Sequence, residues 1–595
     1  MIKVKSNKIN SKVVNIIMNV FKKYKSLSFF LFFIIIAVII FSLATPQILK
    51  YIIDDYFSVG KKNLIFPAFL YFGSIVLLGI FNFAKEGIMT IFGQKIIRKI
   101  REEMMKKLEK IPIGYLSTNE SGSIVSRFSN DVEAVGSLFT SGIVSMIVDC
   151  FKIVGIVISI WLFSYKLGTL VLFIIPIVYF LTRFFQKKML TAQRLYRVLT
   201  AKVNNHIPES INNIEMIKSF AKEKYMEEKY VNYLEDSYKA MDKINFYDSI
   251  FSPIILIMRS TVVAIVVILS SDYISFLGIS IGSVAAAIEL INNIFAPIEN
   301  LGMELQNIQQ SIAGIYRIDE FLNEKEETSK NSDLTYERIV KEGNLNIKFE
   351  NVNFHYEKNK DILNDINLDI KYKESITFAG RTGAGKTTLF KLILGLLEPT
   401  NGRITLSGVK ISEIPNYEKR KIFGYVEQSF SFIEGSVSDQ ISLKDEKIRN
   451  EEIVNAMKFV GLHDYILTLE KGYDTLASPN LFSQGQRQLL SIVRAIVTSP
   501  PIMLLDEITA NLDSETEEKI IKVLRNASSE RTVLSISHRL SSVKNCNKVF
   551  MLEQGRLIEE GTHSELLAAN GSYAQMYKKQ AMNYLALENE EEVIL

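Results

Sequence analysis

Between Gly380 and Thr387 the chain reads Gly-Arg-Thr-Gly-Ala-Gly-Lys-Thr. Glycines at 380, 383 and 385 let a backbone wrap closely enough for its N–H groups to face the oxygens of a phosphate. Glu374 to Ala379 reads as a strand before the loop and Thr387 to Leu394 as a helix after it. The helix amino terminus adds partial positive charge. In that setting Gly380, Arg381, Thr382, Gly383, Ala384, Gly385, Lys386, Thr387 and Thr388 form a candidate phosphate cradle. Lys386 is the residue to reach the β- and γ-phosphates, and Thr387 offers a hydroxyl to Mg2+. Further on, the apolar run Ile502 to Leu505 ends in Asp506 and Glu507. An acidic pair closing a buried strand supplies a second magnesium ligand, Asp506, and a base, Glu507, that orients and polarises an attacking water. The chemistry these residues point to is hydrolysis of ATP with Mg2+.

The elements that must position them are of two kinds. From Leu345 onward short β-rich runs (NIKFENVNF, ESITFAG, PIMLLDE, TVLSISH, KVFMLEQ) alternate with helical stretches, the pattern of a soluble α/β domain. Before it lie six apolar runs: Phe29 to Ala44, Leu64 to Ala84, Leu138 to Phe163, Leu167 to Phe185, Ile250 to Leu269, and Phe276 to Ile298. A hydrocarbon core of ~30 Å takes about 20 such residues, and lipid leaves the backbone no choice but helix. Links between runs alternate short and long, and the long, charged ones keep helical periodicity, so the helices extend past the bilayer. Seven lysines precede residue 26 without an acid, and Lys95 to Arg101 is basic. Both sit on the long-link side, which places both termini and the α/β domain in the cytoplasm. Val13, Val14, Ile16, Ile17, Val20 and Phe21 recur at helical spacing, the pattern of an amphipathic helix on an anionic leaflet.

The expected organisation is therefore an amphipathic elbow (1–26), a six-helix membrane bundle (27–322), a charged linker (323–343), a P-loop nucleotide-binding domain (344–580) and an acidic tail (581–595). At 595 residues, 48% hydrophobic and 23% charged, the chain is neither a wholly soluble enzyme nor a bare bundle. Two cysteines, Cys150 and Cys546, form no disulfide framework. A net charge of +4 gives no case for nucleic acid.

Phe482-Ser483-Gln484-Gly485-Gln486-Arg487-Gln488 resembles the signature sequence of ATP-binding-cassette proteins, with Gln484 where Gly is usual. Tyr356 resembles the aromatic residue that stacks on adenine. Gln428 resembles the lid glutamine that senses magnesium. Asp513, in Ala510-Asn511-Leu512-Asp513, resembles the dimer-contact loop, and His538 the switch histidine at the γ-phosphate. The resemblance extends to Ile111–Leu116, Gly122, Arg127 and Asp131, and to Glu209–Glu223, which look like the two cytoplasmic loops of half-size exporters. It implies the type IV exporter fold, coupling helices near Tyr115 and Ile214, and a second half-transporter whose Ser483, Gly485 and Gln486 face the γ-phosphate of the first. Homodimer and heterodimer are both open. The stretch Leu476-Ala-Ser-Pro-Asn-Leu481 lacks the Gly-Glu loop common before the signature, a departure that suits an unlike partner.

The expected activity is ATP-driven export of an amphipathic drug, lipid or other small molecule by alternating access. The alternatives are an ATP-gated channel or membrane sensor built on the same cassette, or a peptide exporter. Fewer than thirty residues precede the first apolar run, which leaves no room for a leader-processing domain there. Asp149, Lys152, Arg259 and Glu289 lie inside apolar runs, where ionisable groups line a solute path or neutralise one another between helices.

Overall fold

A computed structural model describes residues 11–58, 65–140, 142–272, 280–327, 333–342, 345–356, 361–508, 514–528, 531–536 and 546–579. His538, Asp513 and the acidic tail lie outside the described residues. The chain divides into two compact units, Met1–Glu109 with Ser121–Glu324, and Lys110–Glu120 with Lys325–Leu595.

The first unit is helical. The elbow α1 (Lys12–Lys23) is followed by α2 (Lys25–Ile52) and α3 (Ile65–Leu108). After the short α4 (Ile113–Thr118) come α5 (Val132–Thr140), α6 (Ile143–Phe163) and α7 (Tyr165–Asn212). Then follow α8 (Ile214–Ser219), α9 (Glu223–Asp272) and α10 (Ile281–Asn323). Six helices are long and apolar enough to cross a membrane. Large apolar side chains such as Phe29, Phe32, Phe66, Phe69 and Phe83 stand exposed on them. A water-soluble surface does not carry so many, and lipid is the solvent that makes the arrangement stable. Inward-facing Ile156, Val171, Val266, Leu290 and Ile294 close the bundle core.

Three details depart from the sequence reading. The third apolar run is broken, since Gly142 caps α6 with φ −114° and ψ −107° and ends continuity with α5. A Cβ there would meet the Leu138 carbonyl oxygen at 2.6 Å, so only glycine fits. The third link is shorter than Ser164 to Lys166, because α7 resumes at Tyr165. The elbow turns much of its apolar stripe inward: Val13, Ile17 and Val20 are buried and Phe21 stacks on Phe92 at 4.8 Å. Lys12 Nζ donates to the Leu322 carbonyl (2.7 Å) and Asp319 accepts the Val13 N–H (3.0 Å), which pins α1 to the end of α10. Only Val14 and Met18 remain as exposed apolar residues of the helix.

The second unit holds two sheets. The antiparallel one has the order β2-β1-β4-β5, with β1 Ile347–His355, β2 Asp361–Ile370, β4 Asn401–Leu406 and β5 Val409–Lys410. The other has the order β10-β9-β3-β8-β7-β6, with β3 Ser375–Ala379, β6 Phe423–Val426, β7 Ile502–Asp506, β8 Thr532–Ile536, β9 Lys548–Glu553 and β10 Arg556–Gly561. Within it β9, β3, β8, β7 and β6 run parallel and β10 antiparallel. Parallel strands must be covered on both faces, and β7 is buried at all five positions. The helices that matter below are α11 (Lys386–Ile393), α12 (Asn450–Val460) and α13 (Gln484–Ile496). Two clusters make the core. One gathers α11 and the sheets, the other α12, α13 and β7. The short α4 belongs to this unit, where a Cβ on Gly114 would lie 3.6 Å from Leu397. Among the described residues neither cysteine forms a disulfide.

Candidate active site

Because β3 and β7 are parallel in one sheet with β8 between them, their carboxyl ends open on the same edge. Loops beyond those ends are where an α/β sheet gathers its ligands. The glycine loop leaves β3 and turns into α11 with Gly380, Gly383 and Gly385 at φ +149°, +84° and +104°. Gly380 also meets a packing limit, since a Cβ there would fall 2.2 Å from the Leu552 carbonyl oxygen. Arg381, Thr382, Gly383 and Thr387 are exposed along the loop, and Ala384 and Thr388 are buried beneath it.

Lys386 is 5% exposed and donates from Nζ to the carbonyl oxygens of Gly380 (2.9 Å) and Arg381 (3.0 Å). Burial pushes its ammonium pKa down, and the charges of Glu507 and Asp506 pull against that. Asp506 closes β7, buried at 5% exposure. Burial raises its carboxyl pKa. The Tyr425 hydroxyl, donating to Oδ2 at 3.2 Å, counters the rise, while Glu507 adds to it. Tyr425 is itself held protonated, chiefly by burial and then by the Asp506 charge.

Glu507 sits in the left-handed region at φ +46°, and its N–H donates to the Ile536 carbonyl (3.1 Å). A side-chain-bearing residue there costs on the order of 1 kcal/mol, and it turns the carboxylate out of the strand. Gln428, just beyond β6, donates from Nε2 to Glu507 Oε2 at 3.2 Å. The structure thus brings together Lys386, Asp506, Glu507 and Gln428. Tyr356 reaches the same neighbourhood: its hydroxyl lies 3.4 Å from the Thr388 hydroxyl, and its ring meets Phe354 edge-on at 4.9 Å. The buried Asp506 carboxylate closes, and the exposed Thr387 hydroxyl follows, strands that open on the same sheet edge, and such oxygen donors fit Mg2+, which uses one or two carboxylates together with nucleotide phosphates.

Ser483 and Gln486 of the signature segment bond to each other and, among the described residues, not to this cluster. α13 packs beside β6, the edge strand, in the second core cluster, whereas the glycine loop leaves β3, three strands away. At ~4.8 Å per strand that is about 14 Å before any helix is crossed. Ser483 caps α13: its Oγ accepts the Gln486 N–H (3.2 Å), and Gln486 Oε1 accepts the Ser483 N–H (2.9 Å). The cap uses the Ser483 oxygen as acceptor and leaves its proton for an outside acceptor. Gln484 is the first helical residue, exposed and without positive φ, so the backbone places no glycine requirement on it. Gly485 is buried.

Three residues lay outside the sequence-derived candidates for this site or for the membrane unit. Tyr425 is a partner of Asp506 that only strand pairing discloses, since β6 lies beside β7 with Tyr425 opposite Leu504. Gln488 donates from Nε2 to the Gln428 carbonyl (2.6 Å), tying α13 to the residue that bonds Glu507. In the first unit, Glu304 is 5% exposed with Oε2 accepting no hydrogen bond. It lies just beyond the last apolar run, so no pattern marked it. Of the intramembrane polar residues, Asp149 accepts from Asn300 Nδ2 (3.3 Å), joining α6 to α10, and the Glu289 Oε2 is buried without a partner.

Residues 28–298 match the ABC transporter transmembrane region family, and residues 363–510 match the ABC transporter family. The multidrug resistance-like ATP-binding protein MdlB of Buchnera aphidicola is 29% identical over 90% of this chain and 93% of its own length. The ATP-dependent lipid A-core flippase of Acinetobacter baylyi is 28% identical over the same shares. A solved bacterial Atm1-family ABC exporter with ATP bound shares the fold, with a TM-score of 0.75 at 22% identity, over 94% of this chain and 98% of its own.

Proposed function

The chain belongs to the ATP-binding-cassette family as an exporter-type half-transporter with membrane and ATPase regions fused, and from that premise we propose that it exports an amphipathic small molecule, drug or lipid across the cytoplasmic membrane by alternating access. It is a multi-pass membrane protein that binds ATP, and a half-transporter works as a dimer. The observation that carries the proposal is the division of the ATP site. Lys386, Asp506, Glu507 and Gln428 converge on one edge of the sheet, while the capped amino terminus of α13 lies off the edge strand.

A phosphate held by the glycine loop has one face open. In the proposed mechanism a second cassette presents Ser483 and the dipole of α13 to that face. ATP then holds two cassettes together, and its hydrolysis releases them. Lys386 neutralises the phosphates, Asp506 and Thr387 hold Mg2+, and Glu507 takes the proton of the attacking water. Gln428, bonded to Glu507 on one side and through its carbonyl to Gln488 on the other, links the lid to α13. Closure and release of the cassettes shift the bundle between inward-open and outward-open populations. Both termini lie in the cytoplasm in this reading. The candidate hydrolytic residues on this one chain are consistent with a homodimer and equally with a heterodimer in which this chain supplies Glu507. The MdlB and flippase names suggest a drug or lipid as cargo.

Glu507→Gln tests the proposal in proteoliposomes. Loss of a general base lowers turnover about 10²–10⁴-fold. The expected result is trapped ATP, dimerised cassettes and no vectorial flux of a lipid or cationic dye. Passive conductance that persists in the variant would support the gated-channel alternative instead. For the pairing, Ser483→Cys combined with Thr382→Cys should cross-link two copies of this chain in the presence of ATP. A variant that cross-links only when a different half-transporter is added would make it a heterodimer.

A further inference from the structure

A cavity of about 700 Å³ opens on the cassette at the end of the sheet opposite the nucleotide residues. Arg420 and Lys421 on its wall precede β6, Thr498 and Ser499 precede β7, and Arg531 precedes β8. It is therefore walled by the amino ends of the strands that end beside Gln428 and in Asp506. Residues of α12 and the end of α13 form its other side, so it lies between the two halves of the cassette core. Its volume falls in the ~300–1,000 Å³ range of small-molecule sites.

The charges of the lining do not cancel within it. Asp445 accepts from Arg420 Nη1 (3.4 Å) and from the Lys447 backbone N–H (3.1 Å). Glu452 accepts from the Arg449 N–H (2.8 Å) and Nη2 (3.3 Å). Arg420 also caps the carbonyls of Ile441 and Ser442, and Lys421 bonds both oxygens of Glu418. With both acids and two of the cations committed, Arg531 and Lys447 remain. Among the described residues the half-buried Arg531 guanidinium hydrogen-bonds to the Met503 sulfur, 3.6 Å from Nη1, a weak acceptor for a group with five donors, and has the Tyr372 phenol as an electrostatic neighbour. The Lys447 ammonium stands 5.8 Å from the ring centre of Tyr417. Tyr417 and Phe459, 56% and 45% exposed, give the mouth two aromatic faces in a polar surround.

We propose that this cavity is a binding site for a small aromatic anion, its carboxylate or phosphate held by Arg531 and Lys447 and its ring lying against Tyr417 and Phe459. A guanidinium short of acceptors and a free ammonium bind an anion through charge-assisted hydrogen bonds, and exposed aromatic faces select a flat body over an inorganic ion. An occupant here bridges the sheet layer and the helical layer without touching the nucleotide residues. The site does not depend on the export reading.

The test is photolabelling of the full-length protein in lipid nanodiscs with 4-azidobenzoate, followed by peptide mapping. Label is expected on the segments around Tyr417 and Phe459, displaced by excess benzoate and not by neutral benzamide. Arg531→Gln and Lys447→Gln should each lower labelling roughly 10-fold, as loss of one hydrogen bond to a charged group does. Asn455→Trp, at an exposed position of the lining, should block labelling while leaving both cations in place. ATP hydrolysis by all three variants is expected to match that of the unmodified protein. If Arg531→Gln unfolds the cassette, seen as lost hydrolysis, Lys447→Gln and Asn455→Trp carry the test. Competition by benzamide equal to benzoate, labelling confined to other peptides, or undiminished labelling in the folded charge variants would overturn the proposal.

Discussion

Removing a single hydroxyl tests how the site manages a buried carboxylate. Tyr425 donates to Asp506 Oδ2 at 3.2 Å, and Asp506 is 5% exposed. A hydrogen bond to a charged acceptor favours the charged form by about 1.5–3 kcal/mol, and at this length the lower figure applies. Tyr425→Phe should therefore lift the Asp506 carboxyl further above the level to which burial already raises it. Asp506 must be ionised to hold Mg2+. The acid limb of kcat/KM for MgATP should therefore move to higher pH, with activity on that limb falling about tenfold, the worth of one hydrogen bond to a charged group, and little change on the alkaline side. Stability follows the same sign. A carboxyl whose folded pKa exceeds its unfolded value contributes stability below the unfolded pKa and loses it as pH rises through the folded one. Tyr425→Phe widens that window, so its melting temperature should fall further below that of the unmodified protein at neutral pH than at acid pH. Steady-state hydrolysis from pH 5 to 8 and thermal unfolding at the two pH values measure both effects. An acid limb that stays in place in a folded variant would refute the view that Asp506 ionisation, tuned by Tyr425, governs metal binding.

Gly385→Ala forces a Cβ to within 2.7 Å of Leu363 Cδ2 at φ +104°. The strain is on the order of 1–3 kcal/mol, and ATP affinity measured with a fluorescent analogue should fall at least tenfold. Ser483→Ala removes the α13 cap, worth ~1 kcal/mol, and the hydroxyl offered to the partner's nucleotide. It should lower hydrolysis while leaving ATP binding to the glycine loop unchanged, as equilibrium binding against turnover would show. Arg317 forms a two-pronged pair with Asp131, 2.7 Å from Nε to Oδ2, and the Asp131 side chain is 8% exposed. Because Arg317 is half-exposed, Arg317→Gln should cost about 2 kcal/mol rather than the 3–5 of a fully buried pair. A lowered apparent melting temperature in detergent checks it, and Asp131→Asn added to the same chain should recover part of the loss.

Much of this molecule was legible in one dimension because its signals are local. Six apolar runs must be helices wherever lipid is the solvent, and a glycine loop between a strand and a helix must bend one way. Lys386, Asp506 and Glu507 were legible for the same reason: each sits at a fixed offset from an element that its neighbours specify. Other features are non-local. Tyr425 meets Asp506 only because β6 pairs with β7 from nearly eighty residues away in sequence. The inward turn of Val13, Ile17 and Val20 needed α10 to come back beside α1, since an amphipathic stripe specifies a buried face and not what buries it. Gly142 broke an apolar run that composition read as continuous, because a backbone contact with Leu138 has no signature in hydropathy. The sequence alone nominated the candidate hydrolytic residues and marked the apolar half as membrane-spanning, both being matters of residue type and short-range spacing. Tertiary structure alone decided that the signature helix stands apart from the glycine loop, and that two cations are left uncommitted at the far end of the sheet, because strand order and the pairing of charges depend on contacts between distant parts of the chain.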